Sequence, residues 1–195
     1  MYFQDKKLRD NPPFKEGDPK NDDVWETSPL YLQRQLYNKT QPENLEFVKR
    51  MRAVLDEYGA TTSLGEVCDD DNLRVAAKYT EGDEHFHMSY SPALLRPGTN
   101  NPRFLHKAFE IMDTEYPKSW PMWVTGNHDV IRFATRWGTD EKPASAQKLK
   151  AVFTMFATMR GSLLIFQGDE LGLPEVLDMP LEVLRDPLGI ALYPE

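Results

Sequence analysis

Three short apolar runs in this sequence finish in residues that can do chemistry. "SLGEV" ends on Glu66, "MWVTGNHD" on Asn127, His128 and Asp129, and "LLIFQGDEL" on Gln167, Asp169 and Glu170. Carboxylates set at strand ends are the equipment of glycoside hydrolysis, where one acts as acid and another as nucleophile or base. A glutamate close to apolar surroundings can also hold its proton near neutral pH. Turn chemistry explains Asn-His-Asp equally well, because Asn and Asp favour turns, and a Glu after a strand is ordinarily a solvated loop residue. The elements around these residues must decide.

Those elements alternate. Thr40-Gln41-Pro42-Glu43 reads as a capping box opening a helix whose apolar positions are Leu45, Val48, Met51, Val54 and Leu55, with Gly59 as its stop. "ATTSLGEV" follows as a strand, "DNLRVAAKY" as a short helix and "FHMSYSPALL" as a second strand region. Asn101-Pro102 caps the next helix, with Phe104, Leu105, Ala108, Phe109 and Met112 along its stripe. "PMWVTGNHD" is the third strand, residues 145–159 the last strong helix, and "GSLLIFQGDELG" the fourth strand. Apolar strands, each followed by a loop and helix, specify a parallel α/β sheet covered on both faces. Ligands then bind at the carboxyl ends of the strands, which is where Glu66 and Asp129 fall.

Residues 1–40 are polar and rich in proline, a long loop whose later part, through Tyr31, Leu32, Leu36 and Tyr37, is expected to pack on something. The 195-residue chain has a net charge of −8, which excludes a basic nucleic-acid footprint and disfavours anionic membranes. No apolar run is long enough to span a bilayer. A single cysteine, Cys68, and an N-terminus without a signal peptide point to a reducing, cytoplasmic setting. No cofactor or metal is expected. Asp69-Asp70-Asp71-Asn72 lacks calcium-loop spacing and reads as helix-start charge. His85 and His87, near Asp83 and Glu84, could share a strand face, but no further His or Cys pair completes a zinc site. No Gly-x-Ser-x-Gly elbow is present for a serine hydrolase.

Taken in order, "LRDNPP", "LYNKTQPENL", "TTSLGEV", "GEVCDDDN", "WPMWVTGNHDVIRFATRWG" and "GSLLIFQGDELGLPE" resemble the α-amylase family of glycoside hydrolases, nearest its α-glucosidase and oligo-1,6-glucosidase branch. The resemblance implies a partial (β/α)8 (TIM) barrel, from about the fourth helix through the eighth strand. It makes residues 1–195 a fragment of one catalytic domain, with 1–40 the loop after the fourth strand and 41–195 the alternating part. Glu66 matches the general acid/base, Asp129 the transition-state-stabilising carboxylate, and His128, Arg132 and Asn127 substrate-binding positions. Gln167 to Glu170 match a common segment with a structural role. The family nucleophile, an Asp on the fourth strand, has no counterpart in this chain. The implied substrates are α-glucosides or malto- and isomalto-oligosaccharides. The implied chain is inactive alone, and its partners are the complementary half of the barrel or a second copy. The alternative is a non-catalytic sugar-binding or remnant protein.

Overall fold

The computed structural model describes residues 5–16, 18, 33–69, 71–90, 92–95, 98–139 and 141–191. Four parallel strands, β1 (Leu64–Glu66), β2 (Met88–Tyr90), β3 (Pro121–Val124) and β4 (Ser162–Leu164), pair in chain order. Helices α1 (Pro42–Asp56), α2 (Asn72–Lys78), α3 (Pro102–Glu110), α4 (Phe133–Arg136), α5 (Ala146–Thr158) and α6 (Pro187–Ala191) surround them. The order departs from strict alternation after β2, where a 3-10 turn spans Pro92–Leu95, and again after β3. A short helix, α4, stands between β3 and α5, too brief to show helical periodicity in the sequence.

Alternation along the strands sorts side chains onto two faces. Trp123 and Leu163 join Phe109, Phe133, Trp137, Leu149 and Phe156 in the larger core, which lies between sheet and helices. Trp123 meets Phe109 edge-on with ring centroids 5.2 Å apart, a favourable quadrupole arrangement. On the opposite face Tyr90, Met122 and Val124 pack with Leu95, flanked by Met88, Val130 and Leu164. Only β3 is buried along its whole length; β4 is half-buried and β1 alternates exposed, buried, exposed. Full coverage of the sheet thus holds for β3 and fails at the outer strands, because an edge strand has neighbours on one side only.

Helix starts test the capping expectations. Asn101 Oδ1 accepts from the Phe104 amide at 2.8 Å, with Pro102 in the first turn as expected. Ser145 Oγ accepts from the Lys148 amide at 3.2 Å and opens α5. The capping box at Thr40 does not form. Gln41 takes the cap position without a side-chain bond, while Thr40 sits at φ +51° and its hydroxyl donates to Asp69. A carboxylate brought 29 positions nearer by the fold outcompetes the local amide. Along α1 only Val48 is buried, and Val54 is 53% exposed.

In the early loop, Pro13 and Gln33 form an isolated antiparallel bridge, and Asn11 Oδ1 accepts from the Tyr37 amide at 2.9 Å. Tyr37 lies beneath the Arg9 guanidinium at 4.0 Å. Leu36 stays 40% exposed, contrary to the expected packing, and Tyr31 and Leu32 lie outside the described residues. No described helix is long and apolar enough to cross a membrane.

Candidate active site at the strand ends

β1 delivers Glu66 at its last position, in register with Tyr90 on β2. Register partners in a sheet point to the same face, so Glu66 emerges beside the Tyr90 ring. Beyond that ring the face is uncovered at β1, and Glu66 is exposed. Of the two environments open to Glu66, apolar or solvated, the fold thus gives the solvated one. An open groove of about 610 Å³ runs along this flank, lined by Glu66 and Cys68 on one side and Phe47, Val48 and Met51 of α1 on the other.

β3 carries the second carboxylate, but its regular pairing stops at Val124. The Thr125 amide still donates to the Leu164 carbonyl at 3.3 Å, and beyond it side chains hold the turn. Asn127 Nδ2 donates to the Tyr90 hydroxyl at 2.7 Å, and Asn127 Oδ1 accepts from the Asp129 amide at 3.0 Å. His128 Nε2 lies 3.2 Å from Asp129 Oδ1, with both side chains exposed. Turn chemistry and strand-end presentation are thus combined: Asn127 makes the turn that sets Asp129.

Tyr90 links the two strand ends. It is buried, and burial pushes its phenol up to about 12 against the hydrogen bond from Asn127, with the charges of Glu66 and Asp129 adding to the rise. Geometrically the link runs from the register partner of Glu66 through Asn127 to the Asp129 amide. The sequence reading did not single out this tyrosine; the available signal was an aromatic residue as the last apolar position of "FHMSY".

Under the strand ends lies a buried polar layer. Asp169 is 1% exposed and accepts from the Thr125 hydroxyl at 3.0 Å. Arg136, on α4, donates to the carbonyl oxygens of Thr125 at 2.6 Å and Ile131 at 3.1 Å. Arg132 is engaged by the loop after β4. Its guanidinium donates to the Gln167 carbonyl at 2.9 Å, lies 5.4 Å from the Phe166 ring centroid, and its backbone amide meets Glu175 Oε2 at 2.9 Å. Gly168, at φ +93°, leaves the room for this: a Cβ there would come within 2.9 Å of Arg132 Nη1. Arg132 thus fastens the β3 loop to the β4 loop.

His85 and His87 do not converge. His85 Nδ1 lies 2.8 Å from the Glu81 carbonyl, whereas His87 Nδ1 accepts from the Ser63 amide at 3.1 Å. Among the described residues no three His, Cys, Asp or Glu side chains gather as metal ligands. At Asp71 the helix-start reading is met by position, though the side chain pairs with Arg74 at 3.1 Å instead of capping.

Residues 5–186 match the family model "Alpha amylase, catalytic domain". The chain belongs to the α-amylase family. It is 36% identical over 198 residues to a probable α-glucosidase of Rhizobium meliloti (strain 1021), covering all of this chain and 35% of that protein. An oligo-1,6-glucosidase of Heyndrickxia coagulans is 28% identical over 166 residues, which cover 77% of this chain and 29% of the relative. Among solved structures, the α-glucosyl transfer enzyme XgtA superimposes with a TM-score of 0.84 at 35% identity, over 98% of this chain and 35% of its own. The chain thus spans about a third of the length of these relatives. Its four parallel strands and their helices are part of a (β/α)8 barrel.

Proposed function

We propose that this chain is one portion, within a single catalytic barrel domain, of a retaining α-glucosidase acting on α-glucosides or malto- and isomalto-oligosaccharides. The carrying observation is that β1 ends on Glu66 in register with Tyr90, whose hydroxyl accepts from Asn127 in the turn that holds Asp129. Two carboxylates on one rim of a parallel sheet can flank a single sugar. Probable and curated α-glucosidases among the relatives support the substrate class. In this reading Glu66 protonates the leaving oxygen and afterwards takes a proton from the water that releases the sugar. Asp129 holds sugar hydroxyls and favours the distorted ring, with Asn127 and His128 beside it. Arg132 is the residue whose role shifts most, since its guanidinium is engaged by Gln167. The attacking carboxylate belongs to the part of the barrel that this chain does not span.

The chain alone is then a sugar-binding half-site without turnover. With His128 81% and Asp129 67% exposed, water competes for every hydrogen bond a sugar would make there, so binding by the chain alone is weak. Hydrolysis of an aryl α-glucoside by the purified chain tests the first part, and none is expected. Turnover that Glu66→Gln abolishes would overturn it. Calorimetric titration with 1-deoxynojirimycin, a glucose-shaped cation, tests the second. Binding that weakens about tenfold in Asp129→Asn is expected for one lost charge-assisted contact, and equal affinity refutes the assignment.

A further inference from the structure

The interior face of the sheet contains one polar group that no catalytic assignment uses. Tyr90 packs its ring among Leu95, Met122 and Val124. Its hydroxyl accepts from Asn127 Nδ2 at 2.7 Å, and its own O–H proton has no acceptor among the described residues. Asn127 is spent at both ends of its amide, because Oδ1 takes the Asp129 N–H at 3.0 Å. A contiguous path therefore leads from the register partner of Glu66 to the backbone of Asp129.

We infer that Tyr90 is a positioning residue, coupling the Glu66 strand end to the Asn127–Asp129 turn and fixing the direction in which Asp129 faces a sugar. The effect on sugar binding rests on the function proposed above; the coupling itself does not. The geometry assigns each atom a task. The ring is a core element and would be kept by any large aromatic. The hydroxyl oxygen orients the Asn127 amide so that nitrogen faces Tyr90 and oxygen faces the Asp129 amide. Without that oxygen the Asn127 nitrogen loses its partner, only the Asp129 N–H still holds the amide in its orientation, and the turn it makes loosens.

Tyr90→Phe removes the hydroxyl and keeps the packed ring. In ¹H–¹⁵N spectra of the full chain, the Asn127 side-chain amide pair and the Asp129 backbone amide should shift. The Val48 amide, in a separate core cluster, should stay in place, with the thermal midpoint little changed. Affinity for 1-deoxynojirimycin should fall about tenfold, the ratio expected for one lost hydrogen bond. Tyr90→Phe added to Asn127→Ala should cost nothing further, since the two act along one path. Unmoved Asn127 and Asp129 signals overturn the inference, as do additive losses in the double variant or unchanged affinity in Tyr90→Phe. Shifted signals in a chain that binds no 1-deoxynojirimycin support the coupling and overturn the sugar-site reading instead.

Discussion

The Thr125 hydroxyl donates to Asp169 Oδ2 at 3.0 Å, joining the end of β3 to the loop after β4 across 44 positions of sequence. The carboxyl is held above its ordinary value of 3.8 chiefly by burial. Thr125, the charges of Arg136 and Arg132, and the Phe133 amide pull the other way and do not offset it. Between the ordinary and the raised value the folded chain binds more protons here than the unfolded chain. Stability from this group is therefore full below the unfolded pKa and declines as pH rises through the folded one. Asp169→Asn removes the titration while keeping the size. The stability of the variant relative to the native chain should rise with pH from about 4 until Asp169 is ionised, then level off. Chemical denaturation at a series of pH values reads this directly, and a flat difference would refute it.

Gly126 is the second partner of Asp169. A Cβ at this position would lie 2.7 Å from Asp169 Oδ2, where the buried carboxyl cannot retreat. Gly126→Ala should destabilise the chain by about 1–3 kcal/mol, as overpacked interior sites do. Combined with Asp169→Ala, which clears the space, the total should be smaller than the sum of the two single losses. Urea unfolding of the four forms checks both statements. Additivity would mean that the strain lies elsewhere.

These two residues also show where sequence reading succeeds and stops. Strand positions, the Asn101 cap and the placing of Glu66 and Asp129 at strand ends were legible, because periodicity and capping act over a few residues. The failures involve distant partners. Thr40 reads as the cap of its own helix but bonds Asp69, and the bond from the Arg132 guanidinium to the Gln167 carbonyl, 35 positions on, has no local signature. Nothing local singles out Tyr90; strand register sets it beside Glu66. Exposure at Glu66 was one of two open readings, and what covers the sheet edge decides between them.

Caps give a contrast within one chain. Asn101→Ala removes an oxygen that accepts from the Phe104 amide and should cost about 1 kcal/mol. Gln41→Ala removes a side chain that does not cap α1, although its amide bonds the Leu36 and Lys39 carbonyls at 2.8 and 2.7 Å outside the helix. Its effect should therefore fall on the preceding loop and leave α1 helicity unchanged. Helix-resolved hydrogen exchange separates the two. Faster exchange confined to the first turn of α3 in Asn101→Ala is expected, and equal fraying of α1 in Gln41→Ala would contradict the assignment.

Surface hydrophobicity bears on the state of the chain in solution. Leu64 on edge strand β1 is 49% exposed, and beyond β4 Ile165, Leu171, Leu173, Val176 and Leu177 are 43%, 73%, 44%, 63% and 67% exposed. Exposed apolar groups in this number, beside strand edges with unpaired backbone, drive association. Sedimentation of the purified chain should show mass above the monomer that increases with concentration. Leu64→Lys places a charge on the β1 edge, a device that blocks edge pairing, and Leu171→Lys with Val176→Lys polarises the other flank. Charging one flank should lower the associated mass if that flank is the contact, so the two variants locate it. Concentration-independent monomer in the native chain, with a cooperative thermal transition, would show that the exposed flanks are tolerated in water.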